Sequence, residues 1–452
     1  MISLYKFIAN SWIKIFNLMK ILLNILFGIS VTFVSYADTL KLNNVTTHQS
    51  GGKYFSYPYL SDTPPLQTPA PIGYKPFHLE HYGRHGSRWH IGYKFYDESY
   101  RILNKAYEDG QLTTLGERTY QIIKKIRETA HKGRSGELTD IGALQHQVIA
   151  RRMVENFPQI FVKNANLNAR STVVTRAILS MHNSLDAIRS LCPNINFSTD
   201  ASSSDMWYLH NEDEEAQNIQ KRVNASILRE FKNKHSNNGC FLKKLIKNEN
   251  YAKDSIANRL FTPLFYALVN SQNHSDQPWL IDSIFTPEEV REFWLHGNAE
   301  WFIQGGNSTL TSNRMPFSQA NLLMNIINST DSALMSPTPS INLRYGHDSV
   351  ILPLTVLMEL DNFAIEINDL EDVANKGWHD YSIIPMASNI QMIFYRIPDR
   401  IDKKDVLVKV LLNEREVKLP IGNVKGPYYE WELLRDYYIK KIRSYISPNF
   451  KQ

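Results

Sequence analysis

Cysteine is nearly absent from this chain of 452 residues, which contains only Cys192 and Cys240. A small scaffold held by several disulfides is therefore excluded, because at most one disulfide can form. The sequence alone does not decide whether the two thiols pair. Of the two alternatives, unpaired thiols are favoured. Neither cysteine lies near a group of histidines, so a zinc site built on cysteine and a cysteine nucleophile are both disfavoured.

Long hydrophobic runs are also scarce. The longest apolar stretch spans residues 21–36, and no other segment approaches the ~20 apolar residues that a membrane-spanning helix needs. Lys20 precedes this stretch, and Ser35 and Ala37 at its end form an A-x-A-like cleavage site. We therefore predict a signal peptide over residues 1–37 and a periplasmic or secreted protein without a membrane anchor. An uncleaved anchor is the alternative, and Met19 is a possible start in place of Met1.

Excess charge of one sign is small. The formal net charge is +5, and three positive charges lie on Lys6, Lys14 and Lys20 within the predicted signal peptide. So small an excess argues against a nucleic-acid partner bound through bulk electrostatics. Hydrophobic residues make up 43% and charged residues 21%, as is usual for a globular protein with a sizeable core. The length predicts two or three domains, or one domain with a large insertion.

Residues 84–88, Arg-His-Gly-Ser-Arg, carry the most specific chemical signal in the chain. Each guanidinium group is a permanently charged planar fork that matches two oxygens of a phosphate. A neutral histidine held between two such forks can attack the phosphorus as a nucleophile. The glycine lets the backbone bend and the phosphate come close. The segment therefore predicts covalent phosphoryl transfer at a site without a metal.

Three alternatives remain open for this segment taken alone. His81, His85 and His90 could hold zinc, since two histidines four residues apart on a helix form a metal site. Gly83 and Gly86 argue against a helix here, and the neighbouring arginines would repel a cation. The segment could also be a basic turn at the surface. Nucleic-acid binding is the third alternative, but no long basic or aromatic-interleaved tract supports it.

The pattern Arg-His-Gly-x-Arg resembles the active-site signature of the histidine phosphatase superfamily, in its acid phosphatase and phytase branch. The other motifs of that branch follow in the expected order. Residues 137–142 open a helix with Leu-Thr, residues 170–172 are Arg-Ser-Thr, and residues 346–348 are Gly-His-Asp. The resemblance covers about residues 75–445, with gaps in the middle.

Within this branch, residues 343–347 and 384–389 look like those of multiple inositol polyphosphate phosphatases. Two departures stand out. Those enzymes usually carry His-Ala-Glu late in the chain, whereas residues 347–349 here are His-Asp-Ser, the form usual in acid phosphatases and bacterial phytases. His90 also stands where many relatives have proline.

The resemblance implies a metal-free and cofactor-free phosphomonoesterase for small phosphorylated molecules. Its roles carry over to six residues: His85 as nucleophile, Asp348 as proton donor and then base, and as phosphate-binding groups Arg84, Arg88, Arg170 and His347. Arg176, one helical turn further on, is interpreted as structural. Inositol polyphosphates such as phytate are the expected substrates. A broad-specificity acid phosphatase for sugar phosphates and an inactive protein that binds a phosphorylated ligand are the alternatives.

Strands and helices alternate along the chain and predict an α/β fold. Strands near residues 78–83, 167–171 and 341–345 lead into the three motifs, so we expect a mixed, mostly parallel sheet flanked by helices. Ligands of open α/β sheets bind at the carboxyl ends of the strands, which predicts that the motifs converge. The domain prediction is a core over residues 38–202 and 336–452, with an inserted, mainly helical cap over residues 203–335.

Finer expectations concern individual segments. Residues 38–74 are predicted to be an extended lead-in. The helix that begins near Thr139 is expected to present Ile141, Leu144 and Val148 on one apolar face. A helix is predicted over residues 351–360, a hairpin turn near residues 413–415, and a terminal helix beyond it that includes residues 431–445.

Overall fold

The structure, a computed structural model, describes residues 45–445 apart from 61–62, 211–212, 237–238, 252–253, 275–278 and 402–404. The predicted signal peptide lies outside the described residues. From Thr47 onward the chain belongs to one unit, and that unit is described below. Among the described residues, no helix combines the length and the apolar character needed to cross a bilayer.

A mixed sheet forms the centre of the unit. Its strands are β1 (Lys75–Arg84), β2 (Asn166–Ser171), β3 (Asn196–Asp200), β4 (Ser340–Gly346), β5 (Asn389–Arg396), β6 (Leu407–Leu412), β7 (Arg415–Glu416) and β8 (Tyr429–Glu430). The order is β3-β2-β4-β1-β5-β6-β7, and β8 pairs with β6. The core strands β3, β2, β4 and β1 are parallel, whereas β5 to β8 pair in the antiparallel sense. The predicted α/β fold with a mixed sheet is confirmed.

Helices flank this sheet on the way from β1 to β3 and fill the long connection from β3 to β4. The first group is α1 (Lys94–Glu108), α2 (Thr114–Ala130), α3 (Asp140–Asn156) and α4 (Thr175–Leu191). The second group is α5 (Met206–Leu209), α6 (Glu214–Val223), α7 (Arg229–Lys234), α8 (Leu242–Leu245), α9 (Asp254–Val269), α10 (Ile281–Ile284), α11 (Pro287–Gly305) and α12 (Ala320–Leu334). The last group is α13 (Asp348–Leu357), α14 (Asp372–Asn375), α15 (Asp380–Ile383) and α16 (Trp431–Ser444).

Short 3-10 helices connect several of these elements. They lie at Gln49–Tyr54, Pro58–Leu60, Ser203–Asp205, Asn270–Asn273, Thr309–Thr311 and Met315–Gln319, and a π-helical turn spans Asn224–Leu228. The first two of them fall within the predicted extended lead-in, so that part of the prediction was wrong.

Two apolar clusters support the fold. One joins the sheet to α3 and α4 through buried residues such as Leu79, Leu167 and Ile188. The other joins α1 and α2 to α9 and α11, and it contains buried residues such as Leu103 and Phe265. Helices of the predicted cap segment therefore share an apolar core with helices that precede β2.

Two local expectations were wrong, and three were confirmed. Leu144 on α3 is 46% exposed, whereas Gln145 and Ile149 are buried, because this face of the helix packs against the loop after β1. Helix α13 begins at Asp348 rather than near residue 351, and Pro353 lies inside it. The hairpin of β6 and β7 and the terminal helix α16 agree with the prediction. Cys192 and Cys240 are both free thiols, as expected.

Candidate active site

The three sequence motifs meet at the carboxyl ends of β1, β2 and β4. The backbone amide of His85 donates to the carbonyl oxygen of Gly346 over 2.9 Å, just beyond the paired ends of β1 and β4. On the other side of β4, the amide of Thr172 donates to the carbonyl oxygen of Tyr345 over 3.0 Å. The parallel register of the strands thus places the motifs side by side, in agreement with the predicted convergence.

The loop after β1 is held by side chains from two helices. The Gly86 amide donates to Ser180 Oγ on α4 over 3.1 Å, and the Ser87 amide donates to Gln145 Oε1 on α3 over 2.9 Å. A Cβ atom at Gly86 would overlap the backbone carbonyl group of Gly142, so this close approach requires glycine. The loop is therefore positioned before any ligand arrives.

The His85 ring is buried, and its orientation is set by one hydrogen bond. Its Nδ1 lies 2.9 Å from the carbonyl oxygen of Gly86. A carbonyl oxygen can only accept, so Nδ1 carries the proton and Nε2 keeps a free lone pair. Burial, followed by the charges of Arg84, Arg88 and Arg176, holds the pKa of His85 well below its ordinary value. The ring is therefore neutral and nucleophilic at Nε2.

Three arginines surround this histidine with unused donors. Arg84, Arg88 and Arg176 each have a buried Nε atom for which the described residues offer no hydrogen-bond acceptor. Leaving buried, charged donors unpaired is costly, so three of them around one side chain indicate an anion site. Arg84 is also fixed in place, because its Nη1 donates to the carbonyl oxygens of Lys53 (2.7 Å) and Ile384 (2.6 Å).

Asp348 forms an ion pair with one of these arginines. Its Oδ2 lies 2.8 Å from Arg84 Nη2, and its Oδ1 accepts from the Ser349 amide over 2.9 Å. Burial by itself would raise the pKa of Asp348, but the charges of Arg84, Lys53 and Arg88 outweigh burial and hold that pKa below its ordinary value. The position in the first turn of α13 favours the anion further. Asp348 is therefore a carboxylate in the free site.

His347 sits between β4 and α13, next to the nucleophile. Its ring centroid is 5.8 Å from that of His85, and its Nε2 lies 3.0 Å from Thr172 Oγ1. The amide of His347 donates to the Tyr82 hydroxyl over 3.3 Å. Burial lowers the pKa of His347 to about 3, so the ring is neutral and can donate one N–H.

The structure places Arg170 away from this cluster. Its guanidinium group donates to the Ala169 carbonyl oxygen over 3.0 Å and lies 3.6 Å from Asp205. Side chains alternate along a strand, so Arg170 shares the more exposed face of β2 with Asn168, whereas Ala169 and Ser171 point to the buried face. The predicted grouping of Arg170 with the other arginines is therefore corrected. Arg176, interpreted as structural from the sequence, holds the third position beside His85.

Two further groups near the site were missed by sequence reasoning. Lys53, in the 3-10 helix Gln49–Tyr54, lies close enough for its charge to lower the pKa of Asp348. Asp380, at the start of α15, is buried, and burial raises its pKa to about 6. Neither residue is adjacent to a motif, and only the tertiary packing brings them here. The described residues contain no cluster of histidine, cysteine and acidic side chains suited to a metal ion.

His81 and His90 are the two histidines that the zinc alternative grouped with His85. Both are buried, and burial lowers the pKa of each to about 3. His90 Nε2 lies 2.9 Å from the Tyr266 carbonyl oxygen, and the His81 ring packs on Tyr345. Both therefore belong to the packing around the loop.

The chain belongs to the histidine phosphatase superfamily, branch 2, because the sequence model of that family matches residues 83–413. A comparison with curated proteins found no match.

Solved structures share the fold at low sequence identity. Multiple inositol polyphosphate phosphatase of Bifidobacterium longum, in its apo form, superposes with a TM-score of 0.70 and 19% identity over 87% of this chain and 97% of that chain. Its complex with inositol hexasulfate gives a TM-score of 0.69 and 18% identity over 86% of this chain and 97% of that chain. The phytase from D. castellii gives a TM-score of 0.65 and 12% identity over 88% and 85% of the two chains.

Proposed function

We propose that this chain is a phosphomonoesterase that hydrolyses inositol polyphosphates such as phytate through a phosphohistidine intermediate. The observation that carries the proposal is the neutral His85 Nε2 among three guanidinium groups with unused Nε–H donors. Membership of the histidine phosphatase superfamily supports phosphate ester chemistry. The fold shared with a protein solved in complex with inositol hexasulfate is consistent with this substrate class.

In the first half-reaction, His85 Nε2 attacks the phosphorus in line with the ester bond. The N–P bond forms as the P–O bond to the alcohol breaks, and the alcohol oxygen leaves with a proton from Asp348. Arg84, Arg88 and Arg176 hold the remaining phosphoryl oxygens and balance their charge in the transition state. His347 donates an N–H to the phosphoryl group. Arg170 is not assigned a role, because its partner is Asp205.

The proton on Asp348 must arrive with the substrate or from solvent, because Asp348 is ionised in the free site. A bound phosphate group competes for Arg84 and brings negative charge next to the carboxylate. Both changes raise the pKa of Asp348, since they remove a favourable charge and add an unfavourable one. Substrate binding thereby prepares the general acid that an alkoxide leaving group requires.

In the second half-reaction, a water molecule takes the place of the alcohol. The oxygen of this water attacks the phosphorus while Asp348, now a carboxylate, accepts a proton from the water. The N–P bond breaks and its electron pair returns to His85 Nε2. Inorganic phosphate leaves, and the proton on Asp348 is available for release or for the next turnover.

We further propose that the enzyme acts in the periplasm or outside the cell after removal of residues 1–37. The apolar segment over residues 21–36 and the cleavage pattern at residues 35–37 support export. Protein recovered from expressing cells should begin at Asp38. An intact amino terminus at Met1 or Met19 would instead support an uncleaved anchor.

The direct test measures phosphate release from inositol hexakisphosphate in the presence of EDTA by the protein from Asp38 onward. We expect release by the wild type, none by His85→Ala, and full activity in His182→Ala, an exposed histidine on α4. An acid-labile phosphoryl group trapped on the wild type, and absent from His85→Ala, would identify the phosphohistidine. Phosphate release only from simple monoesters would point to a broad-specificity phosphatase. No release from any ester would favour a protein that binds a phosphorylated ligand.

A further inference from the structure

Lys53 carries a positive charge that the described residues do not neutralise by an ion pair. Its Nζ lies 4.9 Å from the centroid of the Trp301 ring and 5.4 Å from that of the Tyr54 ring. No described carboxylate lies within ion-pair distance of it, and the nearby Glu300 pairs with Lys232 over 2.7 Å. Aromatic faces attract a cation without cancelling its charge, so the ammonium remains available to an anion.

Several contacts tie this lysine to the proposed reaction site. The backbone carbonyl oxygen of Lys53 accepts from Arg84 Nη1 over 2.7 Å, so Arg84 is joined directly to the segment that carries the lysine. The Tyr54 ring that faces the Lys53 ammonium also lies 5.5 Å from the Arg88 guanidinium carbon. The Lys53 charge lowers the pKa of Asp348, the group that would protonate the leaving alcohol. Lys53 therefore lies on the side of the site where the alcohol part of a substrate would sit.

A small cavity of about 30 Å³ adjoins the ammonium. Its lining includes Lys53, Trp294, Trp301 and Asp380, which come from the first 3-10 helix, α11 and α15. Asp380 Oδ1 accepts from the Trp294 indole over 2.9 Å and from the Tyr381 amide over 2.8 Å. Lys53 is the cation among the described residues of this lining, which also includes Glu300.

We propose that Lys53 binds a second phosphate group of the substrate, one carried by the alcohol that leaves. This inference rests on the proposed function and adds the residue that selects polyphosphorylated alcohols over monophosphates. A lysine ammonium is a compact point charge that suits a phosphate whose position varies with the ring to which it is attached. The aromatic rings of Tyr54 and Trp301 hold the ammonium at the edge of the site before the substrate arrives.

The test uses ligands that need no turnover. Calorimetry would compare inositol hexakissulfate with inorganic phosphate on the wild type, Lys53→Met and Lys53→Arg, with Lys243→Met as a matched change at an exposed lysine. We expect Lys53→Met to weaken hexakissulfate binding about tenfold or more and to change inorganic phosphate binding less than twofold. Lys53→Arg should keep most of the affinity, and Lys243→Met should match the wild type.

Equal weakening of both ligands in Lys53→Met, or no weakening of either, would overturn the proposal. A wild type that binds hexakissulfate no better than inorganic phosphate would overturn it as well. If Lys53→Met does not fold, Lys53→Gln takes its place, and thermal melting of every variant separates misfolding from lost binding. Failure of the proposed function can be told apart from failure of the Lys53 proposal. In that case the wild type would bind the ligands but would release no phosphate and form no phosphohistidine.

Discussion

Arg84 Nη2 and Asp348 Oδ2 lie 2.8 Å apart, and this pair links the end of β1 to the start of α13. The free site thus pairs its own carboxylate with one of the arginines that would hold phosphate. An incoming phosphate must compete with Asp348 for Arg84, so ligand binding and the protonation state of Asp348 are coupled. The first two predictions follow from the residues around this pair.

Replacement of Asp348 by asparagine should separate the two roles of this side chain. We expect kcat on inositol hexakisphosphate to fall about 10²–10⁴-fold, because no proton reaches the alkoxide leaving group. The fall should be much smaller with 4-nitrophenyl phosphate, whose leaving group needs no proton. Inorganic phosphate should bind more tightly, because Arg84 loses its internal partner. Asp361→Asn, at a partly exposed pair with Arg415, is the control. Equal losses on both substrates would argue against Asp348 as the proton donor.

The two candidate third arginines should behave differently. Arg176→Ala should lower kcat/KM by about 10²-fold or more, the usual effect of removing one donor from a charged transition state. Arg170→Ala should stay within about threefold of the wild type, because its guanidinium contacts Asp205 and the Ala169 carbonyl oxygen. Steady-state kinetics of both variants on one substrate would distinguish the two arginines. The reverse order of effects would restore the assignment drawn from the sequence motif.

Asp380 should make the stability of the protein depend on pH. Burial raises its pKa to about 6, against the charges of Lys53 and Arg84 and the hydrogen bond from Trp294, so the folded state holds this proton more tightly than the unfolded chain does. The stabilisation that Asp380 contributes to the folded state is therefore fully present below about pH 4 and is lost as the pH rises through 6. The free energy of unfolding changes by about 3 kcal/mol over this range.

Asp380→Asn should remove that dependence. Urea unfolding at several pH values should show the wild type losing stability relative to the variant between pH 4 and 7. Asp186→Asn, at an exposed position on α4, should run parallel to the wild type. A constant difference between Asp380→Asn and the wild type would show that Asp380 does not titrate in this range.

Gly86 should tolerate no side chain. Gly86→Ala would drive a Cβ atom into the backbone carbonyl group of Gly142, so the loop after β1 would have to shift. We expect a loss of about 1–3 kcal/mol in the free energy of unfolding and a fall in kcat/KM of at least about tenfold. Gly422→Ala is the matched control, since a Cβ there meets no atom within 4 Å. Thermal melting and kinetics on both variants check the prediction, and an active, stable Gly86→Ala would contradict it.

Much of the fold could be predicted because local patterns and topology agree. Alternating strands and helices predicted a mixed sheet, and the rule for strand ends predicted that the motifs at His85, Thr172 and His347 would meet. The exposed Leu144 shows where apolar periodicity fails, because polar Gln145 is buried to hold the loop at Ser87. A helix face that holds a functional loop buries polar side chains, so it does not show the apolar periodicity of a face that packs against a core.

The site was less predictable than the fold. Arg170 was chosen over Arg176 from a motif, although the alternation of side chains along β2 already separates Arg170 from the buried face. Lys53 and Asp380 left no local signal, since Lys53 lies 32 positions before His85 and Asp380 lies 32 positions after Asp348. Long-range packing alone brings such residues together.

The apolar cluster shared by α1, α2, α9 and α11 bears on how this architecture can be recombined. A graft that exchanged only the connection between β3 and β4 would cut through that cluster and leave residues such as Leu103 and Ile123 without their partners. Chimeras between relatives should therefore transfer the helices before β2 together with the long connection. The helices before β2 and the long connection between β3 and β4 thus form one packing unit made of two chain segments, which β2 and β3 separate in sequence.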